Sequence, residues 1–110
     1  MGAFVKGAVL VVPFPFADRT GTKRRPVLVL ASLPGDDVIV CQITSQSISD
    51  KNAVRITNGD FVNGGLQQPS NVRPDHLFTI SSRRVLYQLG VLVSPKIDEI
   101  ITRLVSVLHT

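Results

Sequence analysis

A chain of 110 residues, 44% hydrophobic and carrying a net charge of +4, has room for one core, is too apolar for a disordered segment and attracts polyanions at long range. It contains nothing close to the ~20 consecutive apolar residues that span a bilayer, and a single cysteine excludes a disulfide within the chain. With no tryptophan and few aromatics, the core must come from Val, Leu and Ile, which favours strands.

The first predicted strand covers Ala8 to Val12 and ends at the Pro13-Phe14-Pro15-Phe16 segment. Those prolines, only Lys6 ahead of the apolar run, and no small-x-small pattern before Asp18 argue against a signal peptide, so the expected location is cytoplasmic. A polar loop through Asp18, Thr20 and Gly21 leads to Lys23-Arg24-Arg25, and Pro26 opens the second strand, where its missing donor costs least. The apolar runs Val27 to Leu30 and Val38 to Thr44 flank a Pro34-Gly35 turn and read as a β-hairpin. Centred on that turn, the register sets Leu30 opposite Ile39 and Arg25 opposite Thr44. Directly opposed side chains share one side, so a guanidinium and a hydroxyl converge at the open end of the hairpin. Cys41, inside the strand, reads as a small buried hydrophobe.

Ser45 to Asn52 reads as a loop, Ala53 to Thr57 as a fourth strand, Asn58-Gly59 as a turn and Asn63-Gly64-Gly65 as a further turn or bulge. Ser70 to Arg73 begins another extended piece, and His76 to Ile80 is the last full strand expected. Ser81 is placed to cap one helical turn through Arg84, and Gly90 to Val93 returns to extended chain. The terminal helix has Ser94 as N-cap, Pro95 at the first position and Asp98 and Glu99 near the first turn. Its apolar residues Ile97, Ile100, Ile101, Leu104, Val105 and Leu108 form one face, which requires cover from the sheet or a second subunit. Short strands with one helix predict a mainly β fold, a small barrel decorated by a C-terminal helix, in a single domain over 1–110. An open α+β sheet is the alternative.

Two groups of residues carry chemistry. Arg25 with Thr44, supported by Ser45 and Gln46, offers a charged fork and a neutral donor to phosphate oxygens. The plain alternative is a solvated arginine at a strand end beside a β-branched strand residue. Arg73 and Asp75 are two apart and share a face on an extended chain, so the carboxylate can pair with the guanidinium or accept a proton. His76 then points the other way, and a surface ion pair is the plain alternative. One cysteine with His76 and His109 gives no zinc spacing, no paired carboxylates indicate a two-metal nuclease, and Gly64-Gly65 lacks the Lys-Ser/Thr of a phosphate loop. Phosphodiester cleavage by such a chain is expected to need no metal or other cofactor, which favours RNA because its 2′-hydroxyl can supply the nucleophile.

In order and spacing, Lys6 to Phe16, Lys23 to Leu30, Gln42 to Gln46 and Ser70 to Ile80, followed by the Leu89-Gly90 step into a last helix, resemble the MazF/PemK toxins of type II toxin–antitoxin systems. The resemblance implies an SH3-like barrel, a homodimer and a sequence-selective endoribonuclease acting on single-stranded RNA, inhibited by a cognate antitoxin and not associated with membranes. It maps the catalytic pair onto Arg25 and Thr44 and, as in some members, adds Arg73 and Asp75. Lys23, Arg24, Ser45, Gln46 and His76 are then expected to bind RNA. Two departures stand out: Gly7-Ala8 replaces the Gly-Asp of many members, and no histidine lies between Phe14 and Arg25. The rival functions are a nucleic-acid-binding or gyrase-inhibiting toxin of the same superfamily, and a dimeric module that only accepts an antitoxin.

Overall fold

The computed structural model describes residues 4–14 and 23–110, with the backbone alone at Phe14; the polar loop expected through Asp18, Thr20 and Gly21 lies outside them. Among the described residues, seven antiparallel strands, β1 (Ala8–Phe14), β2 (Lys23–Ser32), β3 (Asp37–Thr44), β4 (Val54–Ile56), β5 (Phe61–Gly64), β6 (Ser70–Ser81) and β7 (Tyr87–Leu92), precede one α-helix, α1 (Ser94–Leu108). They form one sheet in the order β4-β6-β3-β2-β1-β7-β5, curled around an apolar core as a half-barrel.

The central strands are apolar on both faces because both faces are covered. Val9, Leu28, Cys41 and Ile43 point into the curl, where Ile97, Ile100, Ile101 and Leu104 of α1 close over them. The alternate residues Leu10, Val12, Val27, Val29 and Val40 pack on the opposite side with Phe4, Phe78 and Ile80. The helical stripe is therefore split: Ile100 is fully buried, whereas Val105 and Leu108 are exposed.

The hairpin forms as expected up to a point. Val27, Leu28 and Val29 pair with Gln42, Cys41 and Val40, but a bulge then shifts the ladder so that Ile39 lies opposite Ala31 and not Leu30. Leu30 still packs with Leu28 inside the curl, as strand alternation requires, and bulges of this kind add the bend that a small barrel needs. At the tip, Leu33 N–H donates to Asp37 O at 2.9 Å while Gly35 takes a φ of 81°, a value side chains rarely adopt.

Other expectations require correction. His76 to Ile80 is not a separate last strand: β6 is continuous from Ser70, and β7 follows it, bonded to β1 on one side and β5 on the other. Asn63 and Gly64 lie in β5, with the anticipated bulge present as a register shift between Phe61 and Asn63. Strand β1 extends through Pro13 to Phe14, and β2 begins at Lys23, ahead of Pro26. Val93, not Ser94, caps α1: its carbonyl accepts from Lys96 and Ile97, and no side chain caps the helix. Such one-residue shifts arise because the first turn is defined by backbone bonding. Ser81 caps its short turn as expected, accepting from Arg83 N–H at 3.2 Å.

Candidate functional site

The start of β2, the end of β3 and the start of β7 line a cavity of about 460 Å³. Arg25, paired with Val12 of β1, enters it from β2 with its Nε shielded from solvent. Thr44 ends β3, is 7% exposed and lines the same cavity. Carried two residues beyond the Val27↔Gln42 pair, the register would set Arg25 level with Thr44, and both residues belong to the lining of this cavity.

Local bonding fixes the hydroxyl. Gln46 N–H donates to Thr44 Oγ1 at 3.2 Å, and Asn71 Nδ2 donates to Gln46 O at 3.3 Å. With one lone pair occupied, Thr44 Oγ1 keeps its proton for an acceptor in the cavity. Ser45 and Gln46 line the wall beside it, and Arg24 lies next to Arg25. Lys23 is exposed at the start of β2 and is not part of the lining. Among the described residues, the two arginines are the charged groups of the lining and every other polar side chain there is neutral.

Arg73 and Asp75 lie elsewhere. They line a second space of about 550 Å³ with Ser47, Ser49 and Asp50, separated from the first by the chain that leaves Thr44. The pairing considered for Arg73 and Asp75 is replaced by another: Arg73 Nε meets Asp50 Oδ2 at 3.3 Å, while Asp75 Oδ1 lies 3.9 Å from His76 Nε2. The cause is an irregularity in β6, where Leu77 pairs with Cys41 and Arg73 with Gln42, leaving residues 74–76 unmatched. His76 therefore turns toward Asp75 instead of away. The Asn52 backbone N–H, at 2.8 Å, and the Arg73 guanidinium hold the Asp50 carboxyl below its ordinary value.

Asp50, Asp75 and His76 bring potential ligand atoms within 4.8 Å of one another. Asp50 is already engaged by Arg73, however, and that guanidinium opposes a cation there. Sequence reasoning missed Asp50, which is 23 residues from its partner, and it also missed the residues opposite Arg25 and Thr44. Gln67 and Gln68 on the β5–β6 loop and Tyr87 on β7 complete the cavity. The available signal for Tyr87 was its being the only tyrosine in an aromatic-poor chain.

The sequence profile of PemK-like, MazF-like toxins of type II toxin-antitoxin systems matches residues 5–108. The chain belongs to this family. No curated protein matches the sequence. Among solved structures, the PemK/MazF-family chain is similar to an endoribonuclease in complex with its cognate antitoxin from a mycobacterial species, at 18% identity, a TM-score of 0.75, and coverage of 97% of this chain and 96% of that one. It is also similar to the Mycobacterium tuberculosis toxin MazF-mt6, at 22% identity and a TM-score of 0.73, covering 93% and 96%. A Deinococcus radiodurans MazE-MazF structure matches at 25% identity and a TM-score of 0.72, covering 96% and 95%. These likenesses establish the barrel-type fold over the open α+β sheet. Among the described residues, no helix is long and apolar enough to cross a membrane.

Proposed function

We propose that this PemK/MazF-family chain is a metal-independent endoribonuclease that cleaves single-stranded RNA and is held in check by a cognate antitoxin. The observation that carries this reading is the cavity that Arg25 and Thr44 both line, in which no carboxylate is found among the described residues. An RNA phosphodiester fits such a site: Arg25 donates to the non-bridging oxygens, and the Thr44 hydroxyl donates to the charge that builds as phosphorus becomes five-coordinate. The adjacent 2′-oxygen attacks phosphorus and the bond to the 5′-oxygen breaks. A proton leaves the 2′-hydroxyl and one reaches the departing 5′-oxygen, giving a 2′,3′-cyclic phosphate and a 5′-hydroxyl. Arg25, at the phosphate, assists those transfers; Asp75, 3.9 Å from His76, lines the neighbouring space and is placed to meet RNA that extends into it. Lys23, Arg24 and Arg73 grip the flanking backbone.

The antitoxin partner is supported by the solved complexes of an endoribonuclease with its cognate antitoxin and of MazE with MazF, and the reading extends to a homodimer on the family resemblance alone. Purified chain incubated with mixed-sequence RNA in EDTA is expected to release fragments with cyclic phosphate ends. Arg25→Ala is expected to lower the rate on the order of 100-fold with an unchanged circular dichroism spectrum. Loss of all cleavage in chelator defeats the metal-free reaction, and RNA binding without new ends favours a binding toxin instead. Sedimentation of the free chain tests the dimer.

A further inference from the structure

Building on the RNA reading of the Arg25–Thr44 cavity, we propose that Tyr87 is the platform on which one unpaired nucleobase beside the scissile phosphate stacks, with the base edge read by the amides of Gln67 and Gln68. Tyr87 begins β7 opposite Val11 of β1. It is 48% exposed, and of the described exposed large apolar side chains it alone lines this cavity. A ring that served only to fill core would be covered. Here it stands in a concave wall beside two arginines, and every nucleobase offers a π-face that such a ring can hold.

The rest of the wall matches a base better than another phosphate. Leu89 and Val11 continue the apolar surface around the ring, and the facing loop presents two carboxamides, each with both donors and an acceptor. That loop is fixed by its own bonds. Gly65 N–H donates to Leu89 O at 3.1 Å, Leu66 N–H donates to Asn58 Oδ1 at 2.9 Å, and Ser70 Oγ donates to Gln68 O at 3.1 Å. The backbone that carries the two glutamines is thus fixed before any ligand arrives, which reduces the ordering cost of binding.

The chain supplies its own reporter, because Tyr87 is its only tyrosine and tryptophan is absent. Tyrosine emission of the full chain is titrated with a 2′-O-methyl oligoribonucleotide, which has no 2′-hydroxyl to attack, and with an abasic ribose-phosphate oligomer of equal length. Saturable quenching by the first and none by the second is the expected result. Tyr87→Ala weakens binding of the 2′-O-methyl oligomer about 10-fold or more, and Tyr87→Phe restores most of the loss. With ordinary RNA, Gln67→Ala and Gln68→Ala shift the mapped cleavage positions.

Unchanged emission at saturating oligomer, in a preparation that still cleaves RNA, overturns the stacking proposal and leaves the nuclease reading intact. Quenching without any cleavage of ordinary RNA does the reverse. An emission change that follows chain concentration in the absence of RNA assigns the ring to contact between two copies and also overturns the proposal. The wild-type titration decides the matter even if Tyr87→Ala fails to fold.

Discussion

Thr44 shows how little a single atom must do to matter. Its methyl side and its 7% exposure suit a strand end, so Thr44→Val preserves the shape and removes only the hydroxyl. The Gln46 N–H loses its acceptor, lowering stability by about 1 kcal/mol in urea denaturation. Under the proposed reaction, RNA cleavage falls far more, on the order of 100-fold, and equal small losses in both assays refute a chemical role. Cys41 gives the opposite case. Burial, reinforced by the charge of Asp75, pushes its thiol up to about 12, so iodoacetamide should leave the native chain unmodified at about pH 8 and label it once unfolded, as read by mass spectrometry. At this scale the sequence was informative where a residue closes an apolar run, as Arg25 and Thr44 do. It was silent on Asp50, whose meaning depends on a partner brought near only by folding.

At the level of elements, the close approach of β5 to β7 sets the cavity's far wall. A Cβ on Gly90 would overlap the Asn63 carbonyl oxygen and crowd the Phe61 ring, so Gly90→Ala is expected to cost about 2 kcal/mol, measured by urea denaturation. The loop between β3 and β4 is pinned differently, by Asp50 accepting from Asn52 N–H and meeting Arg73. Because its carboxyl is held below the ordinary value, the folded chain favours the ionised form. That stabilisation is complete above the unfolded value near 4 and is lost as pH falls through the lower folded one. Melting temperatures taken from about pH 7 to about pH 3 should therefore drop more for the wild type than for Asp50→Asn. The hairpin and α1 were legible because their periodicity is local. The bulge at Leu30 and the excursion at residues 74–76 were not, since each answers to a neighbouring strand and leaves no mark on the alternation of its own.

Across the whole molecule, the charge of +4 and the two arginines of the cavity would, under the proposed function, make RNA affinity a function of salt. Binding of the 2′-O-methyl oligomer should fall linearly on a double-logarithmic plot, and Arg24→Ala should reduce the slope by about 0.7 if that side chain neutralises one phosphate. A slope unmoved by the substitution removes Arg24 from the interface. Composition alone pointed to a small β structure, but the strand order could not be read from it, because the pairing of β1 with β7 joins distant parts of the chain. That pairing has a consequence for biosynthesis. Val11 and Arg25 leave the ribosome before Tyr87 and Leu89 have been added to the chain. Nascent chains thus carry half a groove until β7 joins β1, so whatever the finished groove holds finds no complete site on a partly made chain.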